Sequence, residues 1–201
     1  MHSFAVDILT AQALVSKVTY KVILGHFING KLNGSGTMFT KDNIIYKGDF
    51  LEGIRHGIGK ESTKYTYYEG SFENNRKHGK GKLIHKVLEE VYEGDFKEDS
   101  ITGFGSLLWK NGDRYIGEVS NKKMHGMGKY FWSDGSEYEG EYIDNIKVGK
   151  GIFKWNNGNI FEGPFDKGLP HGQGIIKTKG LKYECEFREG RLFRKGDLID
   201  N

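Results

Sequence analysis

Large apolar residues recur along this chain in a cycle that restarts every 22 to 24 residues. Each cycle opens with Tyr46, Tyr68, Tyr92, Tyr115, Tyr138 or Phe161, two residues before a glycine; Tyr183 holds the same place before Cys185, and Ile23 holds it one period earlier. Four residues on stands a second ring: Phe27, Phe50, Phe72, Phe96, Tyr142, Phe165 and Phe187, with Val119 as the exception. Glycine pairs follow at fixed offsets, among them Gly103/Gly105, Gly126/Gly128 and Gly149/Gly151. Alternate residues of a strand share a face. Tyr138, Gly140 and Tyr142 therefore point one way in a first strand, and Gly149, Gly151, Phe153 and Trp155 share a face in a second. Gly126, Gly128, Tyr130 and Trp132 repeat that arrangement one cycle earlier. Each cycle predicts a pair of short strands.

The punctuation between strands fits hairpins. "WKNGD", "WSDGS" and "WNNGN" close three cycles with Asn-Gly or Asp-Gly, dipeptides that tight hairpin turns favour. Midway through the cycle, one offset carries Gly53, Asn75, Asp99, Asn145, Gly168 and Gly190, residues that tolerate positive φ, with Lys122 as the misfit. Bare glycine backbone lets a ring from a neighbouring strand lie on the sheet. The paired glycines are thus read as structural, and the aromatics as a ladder running from unit to unit. No unit can bury its own face, and stacking supplies the missing cover. The expectation is an all-β, elongated, single-layer ribbon of antiparallel hairpins forming one domain.

The cycle "YEGEYIDN…VGKGIFKWNNG", together with "YKGDFLEGIRHGIGK" and "FEGPFDKGLPHGQG", resembles the MORN repeat, whose name abbreviates membrane occupation and recognition nexus. The likeness covers roughly residues 20–196. It implies a twisted ribbon of hairpins with a groove along one side. Residues 20–182 hold seven units, and 183–201 hold a partial terminal unit and cap. Departures are local: Thr102 and Val148 replace the usual His, Val119 replaces the ring, and "KLIHKVLEEV" before Tyr92 lacks a closing Asn/Asp-Gly turn. In residues 1–19, Phe4, Ile8, Ala11, Leu14 and Val18 stand near helical spacing. The same segment would serve as a strand, capping the first hairpin or docking elsewhere.

Bulk properties narrow the chemistry. Lys plus Arg number 30 against 27 Asp plus Glu, which lacks the concentrated basic character of a nucleic-acid binder. One cysteine, Cys185, forms no internal disulfide, so a reducing compartment is expected. No apolar run approaches the ~20 residues of a membrane-spanning helix, and the N-terminus lacks a basic leader region. His56, His78, His125 and His171 share one repeat position, but equivalent residues on successive hairpins stand ~9.6 Å apart. Zinc ligands must lie within ~2.1 Å of the ion, so these histidines are expected to stabilise turns. Glu69, Glu93, Glu139, Glu162 and Glu184 form a ladder with no enclosing pocket and read as a solvated face. No catalytic, cofactor or metal site is expected.

Aromatic side chains are the usual anchors of protein contacts. A groove lined by Tyr92, Trp109, Tyr115, Tyr130, Trp132, Tyr138, Tyr142, Trp155 and Phe161 is the candidate partner site, suited to a helix or extended segment. Trp109, Trp132 and Trp155 recur in three consecutive units where others carry Thr40, Thr63, His85 or Thr178, so packing alone does not demand Trp there. The resemblance implies a non-catalytic scaffold in a larger ciliary, flagellar or membrane-associated cytoskeletal complex, in the cytoplasm. The alternatives are recruitment to acidic phospholipids through basic stretches 74–82 and 121–129, or service as a non-catalytic subunit of an enzyme.

Overall fold

A computed structural model describes residues 12–16 and 21–199. Strands and turns account for them, without a helix among the described residues. Two compact units divide the chain: one reaches to Val87 and takes in Phe96–Asp99, and the other comprises Leu88–Asp95 and the residues from Ser100 onward. In the first unit lie β1 (Gln12–Ser16), β2 (Lys21–Ile28), β3 (Lys31–Phe39), β4 (Ile45–Leu51), β5 (Ile54–Ser62), β6 (Thr66–Glu73) and β7 (Arg76–His85). Strand β8 (Glu90–Lys97) has residues in both. The second unit continues with β9 (Ser100–Leu108), β10 (Arg114–Ser120), β11 (Lys123–Phe131), β12 (Glu137–Ile143), β13 (Ile146–Lys154) and β14 (Ile160–Asp166). It ends with β15 (Leu169–Pro170), β16 (Gly172–Thr178), β17 (Leu181–Arg188) and β18 (Arg191–Leu198).

Pairing is antiparallel between sequence neighbours from β1 to β7. The same holds from β9 to β14 and from β16 to β18, with β14 meeting both β15 and β16. Both units are therefore single-layer hairpin repeats, as the periodicity predicts. Of the N-terminal segment, Gln12–Ser16 is a strand paired with β2, while Phe4, Ile8, Ala11 and Val18 lie outside the described residues.

The two kinds of turn are distributed differently from the sequence expectation. Tight two-residue turns sit at the mid-cycle break, where both central residues have positive φ: Glu52 and Gly53 at 49° and 82°, Asn74 and Asn75 at 49° and 69°, Asp144 and Asn145 at 50° and 73°. That pair of dihedrals is the type I′ turn, whose twist matches that of its strands. Lys122 takes part as well, at 64°. The Asn-Gly and Asp-Gly dipeptides instead close wider loops. Gly112 N–H donates to Trp109 C=O at 3.0 Å, and Trp109 N–H donates to Asp113 C=O at 3.0 Å. In these loops only the glycine is left-handed, Gly112 at 90° and Gly135 at 91°. A type I turn followed by a left-handed glycine has this pattern.

The paired glycines also divide their work. The first of each pair needs a left-handed backbone: Gly126 and Gly149 have φ of 57° and 61°. A Cβ there would meet the carboxylates of Glu118 and Glu141, not a ring. Only the second glycine lies beneath an aromatic, so the ring-on-glycine expectation holds for Gly105, Gly128 and Gly151 and fails for Gly103, Gly126 and Gly149. A Cβ on Gly105 would stand 2.5 Å from Tyr92 Cε2, and one on Gly151 2.6 Å from Tyr138 Cε2.

Above the glycines the rings interlock edge to face. Tyr46 meets Phe50 at 5.1 Å and Phe72 of the next cycle at 4.9 Å; Tyr68 repeats this with Phe72 at 5.1 Å and Phe96 at 5.0 Å. In the second unit Tyr138 meets Tyr142 at 5.3 Å and Phe165 at 4.8 Å. Edge-to-face contact sets the positive rim of one ring against the negative face of another. Tyr46, Tyr68 and Tyr138 thus each tie their own cycle to the following one.

The phenol adds a bond that Phe lacks. Tyr46, Tyr68, Tyr92 and Tyr115 each donate their hydroxyl to the carbonyl three residues on, at 3.0, 2.8, 3.0 and 2.7 Å. Beside that carbonyl the register slips, between Gly48 and Phe50 and between Gly117 and Val119. The hydroxyl thereby satisfies a backbone acceptor where the ladder is interrupted.

Candidate functional site

One sheet face in the second unit carries the aromatic site. Tyr115, Tyr130, Tyr138, Phe153 and Phe161 occupy directly paired positions on β10, β11, β12, β13 and β14, so they share that face. Their exposure differs. Tyr115, Tyr138 and Phe161 are fully buried, and Tyr92 and Tyr142 nearly so, as rungs of the ladder. Trp109, Tyr130, Trp132 and Trp155 are half-buried and form a second row beside it. Among the nine candidate groove residues, these four are the ones a partner can touch in this conformation.

The second row is continuous. Ring centroids are 5.3 Å apart for Trp109 and Tyr130, 4.5 Å for Tyr130 and Trp132, 5.2 Å for Trp132 and Phe153, and 5.0 Å for Phe153 and Trp155. The tryptophans stand where β9, β11 and β13 enter the Asn/Asp-Gly loops, and side chains staple successive loops together. Asp113 accepts the Tyr130 hydroxyl at 2.9 Å and the Ser133 N–H at 2.8 Å. Ser136, its counterpart one cycle on, accepts the Asn156 N–H at 3.2 Å. Burial opposes ionisation of Asp113, but these donors outweigh it and hold its carboxyl below the usual range. Phe153 was legible, since it shares its offset with Tyr130; the Asp113 staple was not, because that offset carries Asp, Ser or Asn.

Lys147 is a further component that the sequence pattern does not mark. Its ammonium lies 5.0 Å from the Trp132 ring, 5.2 Å from Phe153, 5.4 Å from Tyr138 and 6.0 Å from Phe165. Burial pushes its pKa down.

The opposite face is charged. Lys60 pairs with Glu69 at 3.0 Å, Lys129 with Glu139 at 3.5 Å, and Lys177 with Glu162 at 2.5 Å. These glutamates thus face lysines across the strands. The histidines lie against turns: His78 is 3.4 Å from Glu73, His125 3.9 Å from Asp144, and His171 Nδ1 accepts the Glu189 N–H at 3.4 Å. Among the described residues, no group of three or more His, Cys, Asp or Glu is arranged to hold a metal ion. Cys185 is buried, which raises its thiol pKa and disfavours the reactive thiolate.

A family model described as MORN repeat matches seven stretches, residues 24–43, 46–63, 68–86, 92–114, 115–137, 138–160 and 161–178. ALS2 C-terminal-like protein of Homo sapiens is 29% identical over 103 residues, or 48% of this chain and 10% of that protein. Alsin of Rattus norvegicus is 29% identical over 89 residues, covering 41% and 5%. MORN repeat-containing protein 3 of Xenopus laevis is 39% identical over 54 residues, covering 27% and 22%. The matched stretches thus span under a quarter of those relatives' lengths. Among solved structures, the SAS-4 (dCPAP) TCP domain of Drosophila melanogaster, in complex with a proline-rich motif of Ana2 (dSTIL), aligns with a TM-score of 0.49 and 12% identity over 92% of this chain and 94% of that one. The TCP10 domain of Danio rerio CPAP, in complex with a peptide of Danio rerio STIL, gives 0.32 and 10% over 82% and 83%.

Proposed function

Since the chain belongs to the MORN repeat family, we propose that it is a non-catalytic interaction scaffold whose second aromatic row docks a helix or extended segment of a protein partner. The carrying observation is the division of labour between the rows. The buried ladder already supplies the packing. The row from Trp109 through Tyr130, Trp132 and Phe153 to Trp155 adds connected, half-open ring surface beside it. The assembly we envisage is ciliary, flagellar or membrane-associated cytoskeleton, reached from the cytoplasm.

Recruitment to acidic phospholipid is the competing reading, and the ion pairs weigh against it. In stretch 74–82, Arg76 pairs with Glu98 at 3.0 Å and Lys77 with Glu61 at 2.6 Å. In stretch 121–129, Lys123 pairs with Asp144 at 3.2 Å and Lys129 with Glu137 at 3.1 Å. Cations already neutralised within the fold attract a lipid surface weakly. Proximity labelling in cells, beside liposome sedimentation at two salt concentrations, separates the readings. Labelling confined to cytoskeletal proteins, without sedimentation, is the expected result. Salt-sensitive sedimentation on phosphatidylserine, without specific protein labelling, would overturn the scaffold.

A further inference from the structure

The geometry points to the Lys147 ammonium as a docking point for a partner's carboxylate, the partner being a peptide segment with an acidic residue between apolar ones. This rests on the scaffold reading and names the chemistry of its partner.

The argument is an internal comparison. Arg55, Lys77 and Lys147 stand at one repeat offset, nine residues after Tyr46, Tyr68 and Tyr138. All three lie over ladder rings: Arg55 is 5.5 Å from Tyr46 and 5.2 Å from Phe72, and Lys77 is 5.3 Å from Tyr68. The first two share an acid. Glu61, itself 7% exposed, pairs with Arg55 and, at 2.6 Å, with Lys77. Glu61 stands fifteen residues after its opening Tyr, and the cycles around Lys147 carry Tyr130 and Phe153 at that offset. Lys147 keeps the cation and the ring floor but has a ring where the carboxylate was, and among the described residues no acid pairs with it. A half-buried ammonium held against rings without a counter-charge is costly, and its preferred complement is an anion.

A second observation falls on the same cross-strand pair. Lys147 lies directly opposite Tyr142, the one ladder position where Tyr replaces Phe or Val. The Tyr142 hydroxyl is buried without a hydrogen-bond partner. The pair thus holds two donors with no acceptor to balance them, an enclosed phenol and a half-buried ammonium, and of the two the ammonium is the one a partner meets. A carboxylate supplies acceptors only. Beside it runs the half-open row containing Trp132 and Phe153, which fits apolar side chains flanking the acid. A single recessed cation walled by rings suits a side-chain carboxylate better than a membrane, which addresses exposed clusters of cations.

A displayed library of random dodecapeptides, selected on the full chain, provides the test. Selected peptides should be enriched in Asp or Glu between apolar residues. Changing that acid to its amide should weaken binding at least tenfold, and so should Lys147→Met on the protein, with no further loss when both are combined. Met suits the site, since Met124 occupies the same offset one cycle earlier; the peptide-side change needs no protein variant at all. Peptides that bind the row without an acid, or equally well to Lys147→Met, would overturn the inference and leave the scaffold standing. A library yielding no binders would remove both. Phosphatidylserine vesicles that sediment with the native chain but not with Lys147→Met would assign the ammonium to lipid and overturn the peptide inference.

Discussion

The ring of Tyr138 covers Gly151 so closely that a methyl group on that glycine would stand 2.6 Å from Cε2. Gly151→Ala must therefore displace the ring and should destabilise the fold by ~1–3 kcal/mol, the usual cost of overpacking. Gly149→Ala should cost ~1–2 kcal/mol for another reason, its φ of 61°. Urea unfolding of double mutants with Tyr138→Leu distinguishes the causes. Gly151→Ala should become milder when the ring is gone, and Gly149→Ala should not. Equal coupling in both cycles would refute the division of labour between the two glycines.

Alkali should undo the ladder. Burial pushes the phenols of Tyr46, Tyr92 and Tyr138 from an ordinary value of 10.0 up to about 12. The unfolded chain ionises first, so the stability these groups confer is intact below pH 10.0 and is lost as pH climbs toward about 12. Denaturation midpoints measured from pH 8 upward should stay level to about 10 and then fall steeply. A level midpoint through that window would show that the phenols titrate freely.

What the sequence disclosed follows from periodicity. Offsets identify which side chains share a face, so Tyr138, Tyr142 and Phe165 were legible as ladder positions before any coordinate. Dihedral demands were legible only in part. Asn111-Gly112 carries the signature of a two-residue turn, yet Asn111 bends back to accept the Asp113 N–H at 3.1 Å, and the loop widens by a residue. The tight turn fell instead on mid-cycle pairs such as Glu98-Asp99, where the tolerance of Asp99 for positive φ was legible but Glu98, left-handed at 49°, carries no such signature. Exposure was not legible at all. Tyr130 and Tyr138 are identical in type and directly paired across β11 and β12, but the next cycle covers only one of them. Lys147 escaped notice because its offset varies among Leu, Arg, Lys, Ile, Met and Pro.

Glu61 should act as the charge keystone of the first unit. Glu61→Leu leaves Arg55 and Lys77 half-buried without their acid and should cost ~3–5 kcal/mol, the range for breaking a buried pair from one side. Replacing all three residues with apolar ones should recover most of that loss. Burial opposes ionisation of Glu61, but the hydrogen bond and charge of Lys77, with Arg55, outweigh it and lower its pKa below 4.5. Its contribution is therefore present above pH 4.5 and disappears as pH falls through the lowered value. Acid titration of the melting temperature should show this loss in the native chain and not in the triple variant. Identical acid profiles would remove Glu61 from that role.

Lys122 marks a site for stabilisation. It occupies a left-handed position at 64°, where other cycles place Gly, Asn or Asp. Asn145 shows what the favoured residue adds: its N–H donates to Met124 C=O at 3.0 Å, and its side-chain oxygen accepts the Met124 N–H at 2.8 Å. Lys122→Asn should raise stability by ~0.5–1 kcal/mol through easier dihedrals, and Asn145→Ala should lower it by ~1–2 kcal/mol. Calorimetric melting of both variants checks the sign. A fall in melting temperature for Lys122→Asn would mean that the lysine side chain does more than bend the turn.

Trp132 is the sharpest test of the docking row. It links Tyr130 to Phe153 and lies beside Lys147, yet it is only half-buried, and Thr or His fills its offset elsewhere. Trp132→Ala should weaken a selected peptide or partner segment by about 2 kcal/mol, the threshold of an interface hot spot. Its effect on folding should stay well under the ~3–5 kcal/mol expected for emptying the buried Tyr138 site. Isothermal titration and thermal melting of the same preparations give both numbers. If binding persists while the melting temperature collapses, the indole is a strut of the fold. The partner then meets the chain on another surface, and the half-open row loses its claim as the docking site.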